Sequence, residues 1–509
     1  MSMRIGDSPV TIDDVVRVAR HRELVELAPQ ARDRLLQARA VLERLASDGP
    51  AIYGLNSALG ANAGTALAAG DLDEYQRRAV RGRAVGVGPS YDRASVRAAQ
   101  FARLAGLARG GSGISPATFE AALALLNAGV HPLVPRHGSM GVTDMPMLAA
   151  MALPLFGEGR AEYQGEAMDG AQALARAGLS PVTLGAKDGL ALFGSNAFTV
   201  GRASLALQDL LQLNDVWLCA VALTSEGFRA NLSVLDESLH RARPAAGQEQ
   251  SATRLRQLLA GSALFEPGAA RRLQDPLSIR VAPQVHGSLQ WMAVQAIGQV
   301  EIELNAQADS PLVLASSGQM LSNGNFHVPS IALTLESCAL ALAQATSLGV
   351  ARIQRFMNPA MTGLPLQLTR HGPAHSGFGP VQKTLSALWT GIRQRANPAS
   401  LDFLTVTEGA EDHACNALHC AEKLAEQIEL ARYVVAIELI VAAQAVDLRQ
   451  TDARSMGAGA RASYAAIRAL VPMLDEDRAL GPDIEAAAQA IATGGLDQPS
   501  SQSADPTHR

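Results

Sequence analysis

The sequence predicts a mainly α-helical globular protein. Ala and Leu are abundant, while aromatics make up 4% of 509 residues. Apolar residues recur at three- and four-residue spacing in stretches such as ATFEAALALLNAGV and CAEKLAEQIELARYVVAIELIVAAQAVDLRQ, the spacing of one helix face. Strand signals are short and few: SPVTID near the start and LSIRVAPQV in the middle. With 48% hydrophobic and 18% charged residues, the chain has ample material for a large core.

Composition also narrows the partners. A net charge of −5 with mixed signs points to neither nucleic acid nor an anionic membrane. Cys219, Cys338, Cys415 and Cys420 are too sparse for a disulfide framework and fit a reducing, cytoplasmic setting. The start, MSMRIGDSPVTIDDVV, carries charges where a signal peptide needs an apolar centre. The apolar stretch YVVAIELIVAAQAV is interrupted by Glu438 and Gln444, so it reads as a buried helix rather than a membrane span.

Along the chain, IYGLNSALG (Ile52–Gly60) puts Tyr53 beside Gly54 in a turn. Such a tyrosine is packing unless a cation or dipole lowers its pKa enough for base chemistry. VRGRAVGVG (Val80–Gly88) spaces Arg81 and Arg83 two apart, so one can face solvent while the other faces a site. Its glycines do not join a strand to a helix, which makes it weak as a nucleotide fingerprint. GSMGVTDMPMLAAMAL (Gly138–Leu153) is a Gly-rich turn feeding a helix, a frame for a catalytic group. Its centre, Val142-Thr143-Asp144, offers little chemistry of its own. Pro146 in the first helical turn leaves free N–H groups suited to an anionic ligand atom.

QDPLSIRVAPQVHGSLQW (Gln274–Trp291) holds Arg280 in an apolar run. A buried arginine needs a carboxylate, either a structural one or a substrate's. LSNGNFHVP (Leu321–Pro329) clusters Asn323, Asn325, Phe326 and His327 in a polar turn. RHGPAHSGFGP (Arg370–Pro380) is a flexible loop, a lid or plain surface, before a helix carrying Lys383. EGAEDHACNALHC (Glu408–Cys420) sets Cys415 and His419 four apart on one helix face but matches no standard zinc pattern, and no metal is expected. Glu411 and Asp412 suit the N-terminus of a helix running from about Ala410 to Arg449. The tail TGGLDQPSSQSADPTHR reads as disordered. No P-loop, GxSxG, HExxH or CxxC occurs.

In order, these motifs resemble the histidine/phenylalanine ammonia-lyase family. YGLNSALG resembles YGxNTGFG with its catalytic tyrosine, here Tyr53; RAVGVG resembles SHAxGVG; LLNAGVHPLVPRHGSMG resembles LLNxGVxPxVPxxGSVG. KDGLALFGSN resembles KEGLALINGT, DPLSIRVAPQVHG resembles DxYSLRCxPQVxG, SNGNFHVP resembles SGGNFHGQP, and AEDHA resembles QEDHV. The resemblance implies an ammonia-lyase-like fold and a homotetramer whose active sites are shared between subunits. It divides the chain into an N-terminal active-site domain (1–195), a central helical bundle (196–492) and a tail (493–509).

The departures cluster at one site. Family members follow GSVG with Ala-Ser-Gly, which cyclises into methylidene-imidazolone, an electrophile that captures the substrate amine. Here Val142-Thr143-Asp144-Met145 follows GSMG. The segment is one residue short, with no Gly to allow cyclisation and no Ser to dehydrate, so no cofactor is expected. The family's supporting Asn falls at Gly194, its Tyr of DxYSLR at Leu277 and its His of SHAxGVG at Arg83; Lys383 is an addition.

Chemistry connects these changes. Ammonia is a poor leaving group and needs the electrophile. A trimethylammonium group has no lone pair to add to one, and departs as a neutral amine unaided. The expected substrate is therefore a small betaine, with resemblance to the family branch that acts on ergothioneine and releases trimethylamine and thiourocanate. On this reading Tyr53 is the general base, with Arg83 or Lys383 stabilising its phenolate. Arg280 clamps the carboxylate, and Lys383 meets the thioimidazole sulfur or shares the carboxylate. Glu411 faces the quaternary ammonium or an imidazole N–H, and Phe326 adds a cation–π contact. Asn325 and Asn196 complete the expected substrate-binding set. Two alternatives stay open: a conventional ammonia-lyase or aminomutase, and a catalytically inactive homologue.

Overall fold

The computed structural model describes residues 2–48, 52, 54, 55, 57 and 72–497. Its long helices are Ala197–Phe228, Ala282–Leu304, Pro329–Phe356 and Ala417–Arg449. Strands among the described residues are three or four residues long and form small sheets. Met3–Ile5 pairs in parallel with Val25–Leu27; Val130–Pro132, Arg160–Tyr163 and Glu166–Asp169 form an antiparallel sheet. The mainly helical expectation is met.

The chain divides into two compact units, and neither is continuous. One comprises 1–208, 296–335 and 398–422; the other comprises 209–295, 336–397 and 423–509. The expected division at 195/196 is not one of these boundaries, of which 208/209, 295/296, 335/336 and 422/423 fall inside long helices. A pattern of apolar spacing cannot reveal a boundary that interrupts no helix.

The second unit is organised around a buried ion pair. Arg352 Nε and Nη2 donate to Glu438 at 2.6 and 2.9 Å, with both side chains fully buried. Trp217 Nε1 and Thr224 Oγ1 donate to the same carboxylate at 2.9 and 3.0 Å. Gln444 donates to Leu474 O and accepts from Leu474 N. The polar interruptions of YVVAIELIVAAQAV are thus satisfied inside the fold. Pro329–Phe356 is long and apolar enough to cross a membrane, yet 56% of its most apolar window is buried.

Several local expectations are corrected. SPVTID is not a strand: Thr11 and Asp14 form a reciprocal capping box that starts the helix Ile12–Arg20. LSIRVAPQV is also helical, as Leu277–Arg280 followed by Ala282–Leu304. Pro283 lies in the first turn of the latter, where its missing N–H costs nothing. The last long helix begins at Ala417, because Asn416 is left-handed at φ 48 and breaks continuity with Glu411. Within the presumed tail, 493–497 is ordered: Leu496 is buried and Asp497 accepts from Gln212 at 3.1 Å. The 370–380 loop is pinned, with Arg370 and His371 on Asp475, His375 on Glu476, and the Ser376 and Gly377 amides on Asp477.

Candidate active site

The Gly138–Leu153 turn is held by contacts that its own sequence does not reveal. Gly141 is left-handed at φ 77, and a Cβ there would lie 2.4 Å from Ala417 N, so glycine is required. Asn416 N donates to Met140 O at 2.9 Å, and the Cys415 thiol contacts Gly141 O at 3.3 Å. The Cys415–His419 pairing on one helix face is therefore not formed, since Cys415 precedes the helix. Val142 pairs with His327 in an isolated β-bridge.

Thr143 and Asp144 form the centre of the frame. Thr143 is left-handed at φ 61, a costly conformation for a β-branched residue. Its N–H donates to Asn196 Oδ1 at 3.0 Å, and its buried hydroxyl has no hydrogen-bond partner among the described residues. Asp144 is fully buried; its N–H donates to Ser195 O at 2.7 Å. Its carboxylate accepts from Ser139 Oγ at 2.7 Å, Thr199 N at 2.7 Å and Thr199 Oγ1 at 3.0 Å. Burial pushes the Asp144 carboxyl up to about 6, against the pull of these hydrogen bonds. Two helix starts meet here, because Asp144 precedes Met145–Ala152 and its carboxylate reaches the first turn of Ala197–Phe228.

Beside the frame, within the first unit, lies a cavity of about 660 Å³. Met140, Val142, Met145, Phe193 and Phe326 give it an apolar wall; Arg83 and Glu411 are its charged members. Arg83 Nη1 donates to Ala79 O at 3.1 Å, and its guanidinium lies 5.0 Å from the Phe193 ring centroid. Glu411 is half-buried on a loop closed by its own backbone pairing with Val406. It caps no helix, contrary to the sequence-based expectation. Gly194 also lines the cavity.

Five expected site residues therefore line one cavity: Arg83, Val142, Thr143, Phe326 and Glu411. Asn196 is not among the lining residues. It is 4% exposed, and its two amide ends join Thr143 N to Phe326 O, so it braces the wall. Asn325 is exposed, with its N–H on Asn323 Oδ1 at 2.9 Å, and is not part of the lining. Tyr53 lies outside the described residues. Arg280 and Lys383 belong to the second unit. Arg280 ends the helix Leu277–Arg280, and its buried Nε has no hydrogen-bond partner among the described residues. The neighbouring Asp275 carboxyl is raised by burial, an effect that Asn231 N and the Arg272 and Arg280 charges oppose. Lys383 is exposed in the first turn of Val381–Arg395.

Sequence reasoning missed one feature. His327 Nε2 and His413 Nδ1 lie 2.9 Å apart, joining the turn that carries Phe326 to the loop that carries Glu411. The two residues are 86 positions apart, and neither motif alone shows that its histidine has a partner in the other.

Comparison with known proteins gives the class first: this is a helical carbon–nitrogen lyase. The aromatic amino acid lyase family model matches residues 10–469, and the chain belongs to that family. Histidine ammonia-lyase of Symbiobacterium thermophilum is 38% identical over 492 residues, 96% of each chain. Among solved structures, ergothionase from Treponema denticola, an ergothioneine-degrading enzyme in complex with desmethyl-ergothioneine sulfonic acid, superposes with TM-score 0.94. It is 31% identical, over 97% of this chain and 99% of that one. Tyrosine aminomutase of Streptomyces globisporus gives TM-score 0.92 at 30% identity, over 97% and 98%.

Proposed function

We propose that this lyase acts on a quaternary betaine, expelling trimethylamine from ergothioneine to give thiourocanate, without a backbone-derived electrophile. One observation carries the reading. Ring closure in this family needs the amide that follows the Ser position to attack backwards along the chain. The amide there belongs to Asp144, donates to Ser195 O at 2.7 Å and precedes a carboxylate fixed by Ser139 and Thr199. With the segment also one residue short, the residues present do not fit a methylidene-imidazolone.

The chemistry that remains is a base-promoted elimination. Tyr53 takes the β-proton, the C–H electron pair becomes the new double bond, and the C–N pair leaves on neutral trimethylamine. Arg280, whose Nε is buried without a partner among the described residues, holds the carboxylate. Glu411 and Phe326 face the cationic group, while Lys383 meets the thioimidazole sulfur. We further propose a homotetramer with shared sites as the working form.

The second reading is an ordinary ammonia-lyase, favoured by the name of the 38% identical relative. Intact mass of the purified protein separates the two. The unmodified mass is expected, and loss of two waters overturns the proposal.

A further inference from the structure

We propose that His327 and His413 are positioning residues: their hydrogen bond ties the loop bearing Glu411 to the turn bearing Phe326 and so sets the width of the cavity. The proposal rests on the cavity being the site of the elimination. The rings are T-shaped with centroids 4.9 Å apart, and Phe403 backs His413 at 5.4 Å. His327 is fixed from behind, by its β-bridge to Val142 and by its N–H on Gly324 O at 3.0 Å. The opposite loop is closed on itself by the Val406–Glu411 pairing and held at its base by Asn416 on Ala399 O, but its residues 401–406 are all exposed, and Thr407 and Glu408 both sit at φ 54. A lateral tie at His413 therefore governs where Glu411 stands.

The donor follows from the network. Among the described residues His327 Nδ1 is buried without a partner, and an orphaned N–H costs more than an orphaned lone pair. The proton therefore sits on Nε2, and His327 donates to His413 Nδ1. Burial and the neighbouring His413 hold the His327 imidazole below its ordinary range. Loss of the His413 acceptor breaks the tie. Substrate binding then weakens, while proton abstraction by Tyr53, which the loop does not carry, continues.

Hydrogen–deuterium exchange at 403–413 in the full-length protein reads the tie without substrate. Protection in wild type is expected to exceed that in His413→Ala about tenfold after correction for intrinsic rates. His413→Asn, whose Oδ1 replaces Nδ1, should stay protected. With ergothioneine, His413→Ala should raise KM about tenfold at unchanged kcat, and His413→Asn should restore it. Equal protection of 403–413 in wild type and His413→Ala overturns the proposal. The expected exchange pattern without ergothioneine turnover upholds the tie and overturns the substrate reading instead.

Discussion

Asp144 and Glu438 are both fully buried carboxylates, and the protein holds them in opposite ways. Glu438 is met by the Arg352 guanidinium on both oxygens, with Trp217 and Thr224 completing its hydrogen bonds. Among the described residues no cation pairs with Asp144, which relies on two hydroxyls, one backbone N–H and the starts of two helices. A paired and saturated charge is a structural lock, expensive to break. An unpaired one beside a cavity is poised, and it responds to pH. The difference separates a region built for stability from a region built for chemistry.

The strongest way to break this comparison is to remove the Glu438 partner. Arg352→Met leaves an uncompensated buried carboxylate and should cost about 3–5 kcal/mol in urea unfolding. A loss below about 1 kcal/mol would show that the pair is no lock. Asp144→Asn comes next. Because the folded pKa of Asp144 is raised, to about 6, its contribution is fully present below about pH 4 and is lost as pH rises through about 6. Wild type should therefore gain on the order of 2 kcal/mol over Asp144→Asn between pH 7 and pH 4. Parallel stability profiles would place the titration elsewhere. The smallest change is at Asn196, where Ala orphans Thr143 N and Phe326 O and should cost about 1–2 kcal/mol. Because those groups brace the cavity wall, turnover should drop further than stability explains. A thermal shift with full kcat and KM would return Asn196 to a purely structural part.

The long helices were legible because their apolar spacing persists over 23 to 33 residues. The Gly138–Leu153 frame was legible from its glycines, and Arg83, Phe326 and Glu411 from the family resemblance. The role of Asn196 was not: it depends on Thr143 and Phe326, 53 and 130 positions away. LSIRVAPQV misled because β-branched residues carry a weak preference that packing overrides. The late start of Ala417–Arg449 was hidden because Asn416 takes a left-handed conformation that its tertiary bonds to Met140 O and Ala399 O stabilise.

The central claim is that a leaving group already carrying three methyls lets this lyase work without a self-made electrophile. Proton NMR of the purified enzyme with ergothioneine, and separately with histidine, tests it most directly. Trimethylamine and thiourocanate appearing in equal amounts from ergothioneine, with Tyr53→Phe abolishing both and histidine untouched, is the predicted result. Urocanate and ammonia formed from histidine, with ergothioneine left intact, would contradict it.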